Sequence, residues 1–156
     1  MTNKKFWLGM LVLTLVFGMT AIGCKEDIEA DSALNGTWVS VGQTLVLDNG
    51  NFTMSSNSIQ AVRGTYTTSN GKITSTPTNY HGNFLNLWFE DAFTSTWFTK
   101  DQIRQKLIGL YPGEEEDIDE ELDEMFAPFD ASYSVSGNTL TIHWPEDELP
   151  TVYIKQ

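Results

Sequence analysis

Cysteine is nearly missing from this chain: one residue, Cys24, in 156. A lone cysteine excludes an intrachain disulfide framework and any Cys-rich zinc site. Basic residues are also scarce, with 9 Lys+Arg against 21 Asp+Glu and a net charge of −12. Phosphate backbones are held by clustered Lys and Arg, so nucleic acid is not an expected partner. Histidine occurs at only two positions, His81 and His143, with no HExxH and no closely spaced pair. A zinc site would have to be assembled from both plus acidic side chains, and the metal expectation is none. There is no Gly-x-Ser-x-Gly elbow and no phosphate-binding loop. No carboxylate pair stands out as an acid/base couple, so no catalytic residue and no cofactor are expected. Apolar content is nonetheless 40 %, with 12 % aromatics, too rich for a disordered chain and sized for one domain.

The N-terminus carries an address. Lys4 and Lys5 precede an apolar stretch from Phe6 to Met19. That stretch is shorter than the roughly 20 residues a spanning helix needs, and a basic start with a short apolar core reads as a secretory signal. Cys24 follows directly after Ala21-Ile22-Gly23. This junction resembles the lipobox of bacterial lipoproteins, with Gly23 as the small residue before the cysteine. The resemblance implies cleavage before Cys24, a diacylglyceryl group on its thiol, palmitate labelling, and anchorage to a bacterial envelope membrane. A plain secretory signal with an incidental cysteine is the alternative. The expected organisation is a signal peptide at 1–23, a lipidated Cys24 with a solvated tether at 24–33, and a domain at 34–156. Cleavage would remove Lys4 and Lys5, leaving 7 basic against 21 acidic residues and a charge of −14. A thiol consumed by lipid is no longer a nucleophile, ligand or redox group.

The body reads as short strands. Asp48-Asn49-Gly50 separates Thr44–Leu47 from Phe52–Ser55, and Asn-Gly accepts positive φ at both turn positions. Ser69-Asn70-Gly71 separates Ile59–Thr68 from Lys72–Thr78, and Ser136-Gly137-Asn138 separates Ser132–Val135 from Thr139–Trp144. Leu140, Ile142 and Trp144 alternate with polar residues, which places them on one strand face. Gly36–Val41 opens the series and Thr151–Lys155 closes it. Eight or nine strands at this spacing imply a sandwich or an up-and-down barrel.

Residues 99–127 break the pattern. Thr99-Lys100-Asp101-Gln102 fits a capping box, and Ile103, Leu107 and Leu110 recur at helical spacing. After Tyr111-Pro112-Gly113, Ile118, Leu122, Met125 and Phe126 mark the apolar face of a second helix. Glu114 to Glu124 holds nine carboxylates in eleven residues. An EF-hand frame starting at Asp117 puts Leu122 where glycine is required, so the run reads as a solvated acidic helix face.

Leu34-Asn35-Gly36-Thr37-Trp38 resembles the opening of bacterial lipocalin-like domains of the calycin group. Gly64-Thr65-Tyr66, Gly71-Lys72-Ile73 and Gly137-Asn138-Thr139-Leu140 occur in the matching order. The resemblance implies a small antiparallel β-barrel of about eight strands, and the helical spacing at 99–127 adds a two-helix insertion to it. It also implies a basic residue, here Lys155, over the first-strand Trp38. Tyr80, Phe84, Trp88, Phe89, Phe93, Trp97 and Phe98 crowd one segment. A barrel of this size holds either a filled core or one small ligand. The ligand reading makes Tyr66, Trp88, Trp97 and Trp144 the candidate contacts for a small apolar molecule. The alternative is a closed barrel acting as a protein-interaction or surface module, its partner unspecified. An open interior of about 300 Å³ or more would favour the first.

Overall fold

The computed structural model describes residues 31–89, 91–145 and 149–156. The signal peptide 1–23, Cys24 and the tether as far as residue 30 lie outside the described residues.

Among the described residues, nine strands form one antiparallel sheet: β1 Gly36–Ser40, β2 Gln43–Asp48, β3 Asn51–Ser56, β4 Ile59–Ser69, β5 Lys72–His81, β6 Trp97–Phe98, β7 Phe129–Ser136, β8 Thr139–His143 and β9 Thr151–Lys155. Their order is β4-β3-β2-β1-β9-β8-β7-β5-β6, and β4 also pairs with β5. That last pairing closes eight strands into a barrel and leaves β6 as a two-residue extra. The expected mostly-β barrel is therefore the observed fold.

Local chemistry sets the hairpins. Asn49-Gly50 and Asn70-Gly71 have φ of 46° and 82°, and of 50° and 73°, so both turns use positive φ at both positions. Each turn fixes register, for example Asp48↔Asn51 and Ser69↔Lys72. Alternation then divides each strand: Trp38, Leu45, Leu47, Phe52, Tyr66, Ile73, Leu140, Ile142 and Tyr153 are buried. The partners between them face out, and Val46, Val152 and Ile154 are exposed.

One barrel end is sealed around Trp38. Asp31 caps a 3-10 turn, Ser32–Leu34, whose Leu34 is fully buried. The Trp38 indole donates to the Leu34 carbonyl at 2.6 Å. Lys155 Nζ lies 5.0 Å from the centre of the Trp38 ring, the contact expected of a basic residue there. Asp31 is held from two strands: its amide donates to Thr68 Oγ1 at 2.8 Å, and the Tyr133 hydroxyl donates to its carboxylate at 2.9 Å. The last residues of the expected tether, 31–33, are thus fastened to the barrel.

The chain between β5 and β7 contains α1 Gly82–Leu85, β6, α2 Lys100–Leu110 and α3 Glu115–Met125. The Thr99 capping box forms with both of its bonds. His81 ends β5. It is buried, its Nδ1 accepts from the Asn83 amide at 3.3 Å, and burial lowers its pKa. Tyr80 ties the helices down: its hydroxyl donates to the Met125 carbonyl at 2.6 Å and its ring meets Phe126 edge-on. Burial raises the Tyr80 pKa. Ile103, Leu107, Ile118 and Leu122 are buried in an apolar core continuous with that of the barrel.

Candidate functional site

Among the described residues, one concavity inside the barrel and one outside it are candidate places for a ligand. The interior void is lined by Leu45, Leu47, Phe52, Met54, Ile73, Ser75, Phe129, Ile142, Trp144 and Tyr153. Its volume is only about 20 Å³. One water needs about 10–15 Å³ on this measure, whereas small-molecule sites run to about 300–1,000 Å³. Side chains fill the remainder: Phe129 packs on Phe52 at 6.3 Å and on Trp144 at 5.8 Å between ring centres. The Tyr153 hydroxyl donates to Gln43 at 2.7 Å, and burial pushes its pKa up to about 12. Among the described residues, no buried side-chain nitrogen or oxygen lacks a partner that an incoming ligand could satisfy.

The four candidate contact residues are not gathered into one pocket. Trp144 lines the interior void. Tyr66 is buried, but its hydroxyl donates to Asn35 Oδ1 at 3.3 Å beside the sealed end. Trp88 packs edge-on against Phe84 at 4.5 Å, beyond α1. Trp97 lies on the extra strand β6, edge-on to His81 and 4.7 Å beneath the Arg63 guanidinium. His143 is exposed on the outer face of β8. Among the described residues, no group of three or more His, Cys, Asp or Glu is placed to hold a metal ion.

The larger concavity, about 260 Å³, lies between the inserted helices and the loop after α1. Phe89, Leu107 and Ile118, all buried, make its apolar floor, and Tyr111 stands at its side. Its rim is carboxylate: Glu114, Asp117, Glu120, Glu121 and Glu124. Glu114, Asp117, Glu121 and Glu124 are spaced three, four and three apart, which sets them along one face of α3. The opposite seam is neutralised. Arg104 grips Asp119 with two hydrogen bonds at 2.5 and 2.9 Å, and Lys100 pairs with Asp123. Those two pairs occupy successive turns of both helices. The Arg104 guanidinium holds the Asp119 carboxyl below the usual carboxylate range. The third cation of α2, Lys106, sits 5.6 Å from the Phe93 ring centre. Among the described residues no Lys or Arg pairs with the groove acids. Glu121 shows the consequence: partial burial, then Asp117, Glu124, Glu114 and Glu120, raise its pKa.

From sequence the acidic run reads as a solvated helix face, and the structure adds an apolar floor beneath it. The three-four-three spacing of the acids is visible in sequence. The contribution of Phe89 is not, because a turn of chain outside both helices delivers it. The comparisons supply no template for this arrangement: no family model, curated protein or solved structure matches the chain.

Proposed function

We propose that this chain is a lipid-anchored, non-catalytic protein of the bacterial envelope whose closed barrel is a scaffold for protein interaction. The single observation that carries this reading is the filled interior, with about 20 Å³ of free volume. A barrel packed to that degree offers rigidity in place of storage space, because protein interiors are close-packed and resist local expansion. Anchorage is proposed through Cys24, whose thiol follows the short apolar segment and small Gly23. Each CH₂ of an acyl chain buried in the bilayer contributes about 0.8 kcal/mol, and two or more chains make attachment stable. The clasp on Asp31 would then hold the barrel close to the membrane, since only six residues, 25–30, separate it from the anchor.

A second reading keeps a small apolar ligand in the barrel. It is favoured by the apolar lining of the void, including Phe52, Phe129 and Trp144. It requires these side chains to move apart.

Two measurements test the proposal. Palmitate supplied to the native cell labels the protein, and Cys24→Ser abolishes the label; an unlabelled wild-type chain overturns the anchor. Tryptophan emission is titrated with fatty acids, haem-like and aromatic compounds. No saturable response is expected, whereas tight uptake removed by Trp144→Ala supports the ligand reading and overturns the scaffold.

A further inference from the structure

We propose that the groove between α2, α3 and the loop carrying Phe89 docks a basic amphipathic segment of a partner protein, an apolar side chain entering between two or more cations. This rests on the scaffold reading and supplies its partner's chemistry.

The floor and the rim constrain the occupant separately. Phe89, Leu107 and Ile118 present carbon to the groove, which a metal ion or a simple polyamine leaves unused. At about 260 Å³ the groove falls below the range that encloses a drug-sized molecule, but it can receive an anchoring side chain. The rim selects charge. Four carboxylates along one face of α3, from residue 114 to 124, extend over about 15 Å at 1.5 Å per residue. Cations three or four residues apart on a partner helix have the same axial period, so several can be matched together. An anionic membrane surface would be repelled by the same row.

The distribution of cations within this chain strengthens the case. α2 and α3 already pair two acids with two bases on the far seam, so like-charge relief is available locally. It is not applied on the groove side. There partial burial, and after it the neighbouring carboxylates, raise the Glu121 pKa, so a docked cation would relieve a repulsion already present. Docking is therefore expected to release unfavourable energy at the rim and to weaken as salt rises.

The test uses the full chain in detergent and isothermal titration calorimetry with three probes. The first is a 14-residue amphipathic helical peptide with lysines spaced three and four apart around a central leucine. The second is the same peptide with serine for that leucine, and the third is spermine. The first peptide should bind, at least tenfold more tightly than either of the others. Combined Asp117→Asn, Glu121→Gln and Glu124→Gln should weaken it at least tenfold. Combined Asp48→Asn, Asp101→Asn and Glu116→Gln removes the same charge away from the groove and should change affinity less than threefold. Equal loss in both variants, equal binding of spermine, or unchanged binding to the groove variant overturns the docking site. The scaffold reading survives any of those results and falls separately, if the barrel takes up an apolar ligand.

Discussion

Gly64 is the position where closure of the barrel can be tested by one methyl group. It lies on β4 beside the register shift in the closing β4–β5 pair, opposite Pro77. A Cβ built there stands 2.0 Å from the Thr76 carbonyl oxygen and 2.7 Å from Phe52 Cε1. Real Cβ atoms essentially never come within 3.0 Å of such neighbours, so Gly64→Ala must separate the closing strands by about 1 Å. The Thr76 oxygen is backbone and cannot rotate away. Phe52 borders a void of about 20 Å³, too small to accept a displaced ring. Overpacking typically costs about 1–3 kcal/mol, and each disturbed ladder bond adds about 1 kcal/mol. We therefore expect Gly64→Ala to lose about 3 kcal/mol and about 10 °C in Tm for a domain of this length. Gly109→Ala is the control: no atom lies within 4 Å of its Cβ, and alanine in α2 should gain about 0.5–1 kcal/mol. Guanidinium unfolding followed by circular dichroism measures both. A Gly64→Ala chain within 0.5 kcal/mol of wild type would refute the closed, filled barrel.

Three further outcomes follow from local geometry. Glu121→Gln should stabilise the protein by about 0.5 kcal/mol at pH 7, the scale of relieved like-charge pairs on a helix. Its folded pKa lies above the unfolded value, so ionisation disfavours folding; the gain should vanish in urea titrations below pH 4, where both states are protonated. Acidification from pH 7.5 to 5 should lower Tm in part through His81, whose depressed folded pKa makes protonation costly below about 6.5. His81→Asn keeps a capping acceptor and should flatten that part of the profile; an identical profile would show that another group titrates. Gly36 has φ of +143°, and its Cβ would lie 2.6 Å from Lys155 Cε. Gly36→Ala should cost about 1–3 kcal/mol in thermal melts, against about 0.5–1 kcal/mol for Lys155→Ala, and the reverse order would assign the glycine's role to the lysine contact alone.

Much of the barrel was legible because its determinants are local. Asn49-Gly50 and Asn70-Gly71 carry their turn geometry in two residues, and the alternation of Leu140 and Ile142 gives the inward face of β8. The capping box at Thr99 is equally short-range. Asn57 and Ser58 adopt φ of 49° and 66° without a glycine, and the Asn57 amide donates to the Gly42 carbonyl at 2.6 Å, a contact from outside their own hairpin that sequence does not display. The segment after His81 was illegible for another reason. Asn86 brackets Phe93, donating to its carbonyl at 2.7 Å and accepting from its amide at 2.8 Å. One side chain replaces a periodic pattern there, and short α1 and β6 follow from that clasp and from pairing with β5.

The same distinction explains why the aromatic segment suggested a pocket and the acidic segment did not. Rings from Tyr80 to Phe98 are conspicuous in sequence, yet they pack on one another: Tyr80 stacks on Phe84, while Phe84 meets Trp88, Phe89 meets Phe93 and Phe93 meets Phe98 edge-on. A ring whose neighbours are rings has used its apolar surface in the core, where burial contributes about 25 cal/mol per Å². These contacts join β5, α1, the loop after it and β6. The acids of α3 are the converse case, with their charges unmatched on the groove side although Arg104 and Lys100 are within the same helix pair. Core formation gives no reason to crowd like charges along one helix face, since this adds to the cost of ionising Glu121. Recognition of a basic partner gives one, because unsatisfied charge beside an apolar floor is what an amphipathic cation complements.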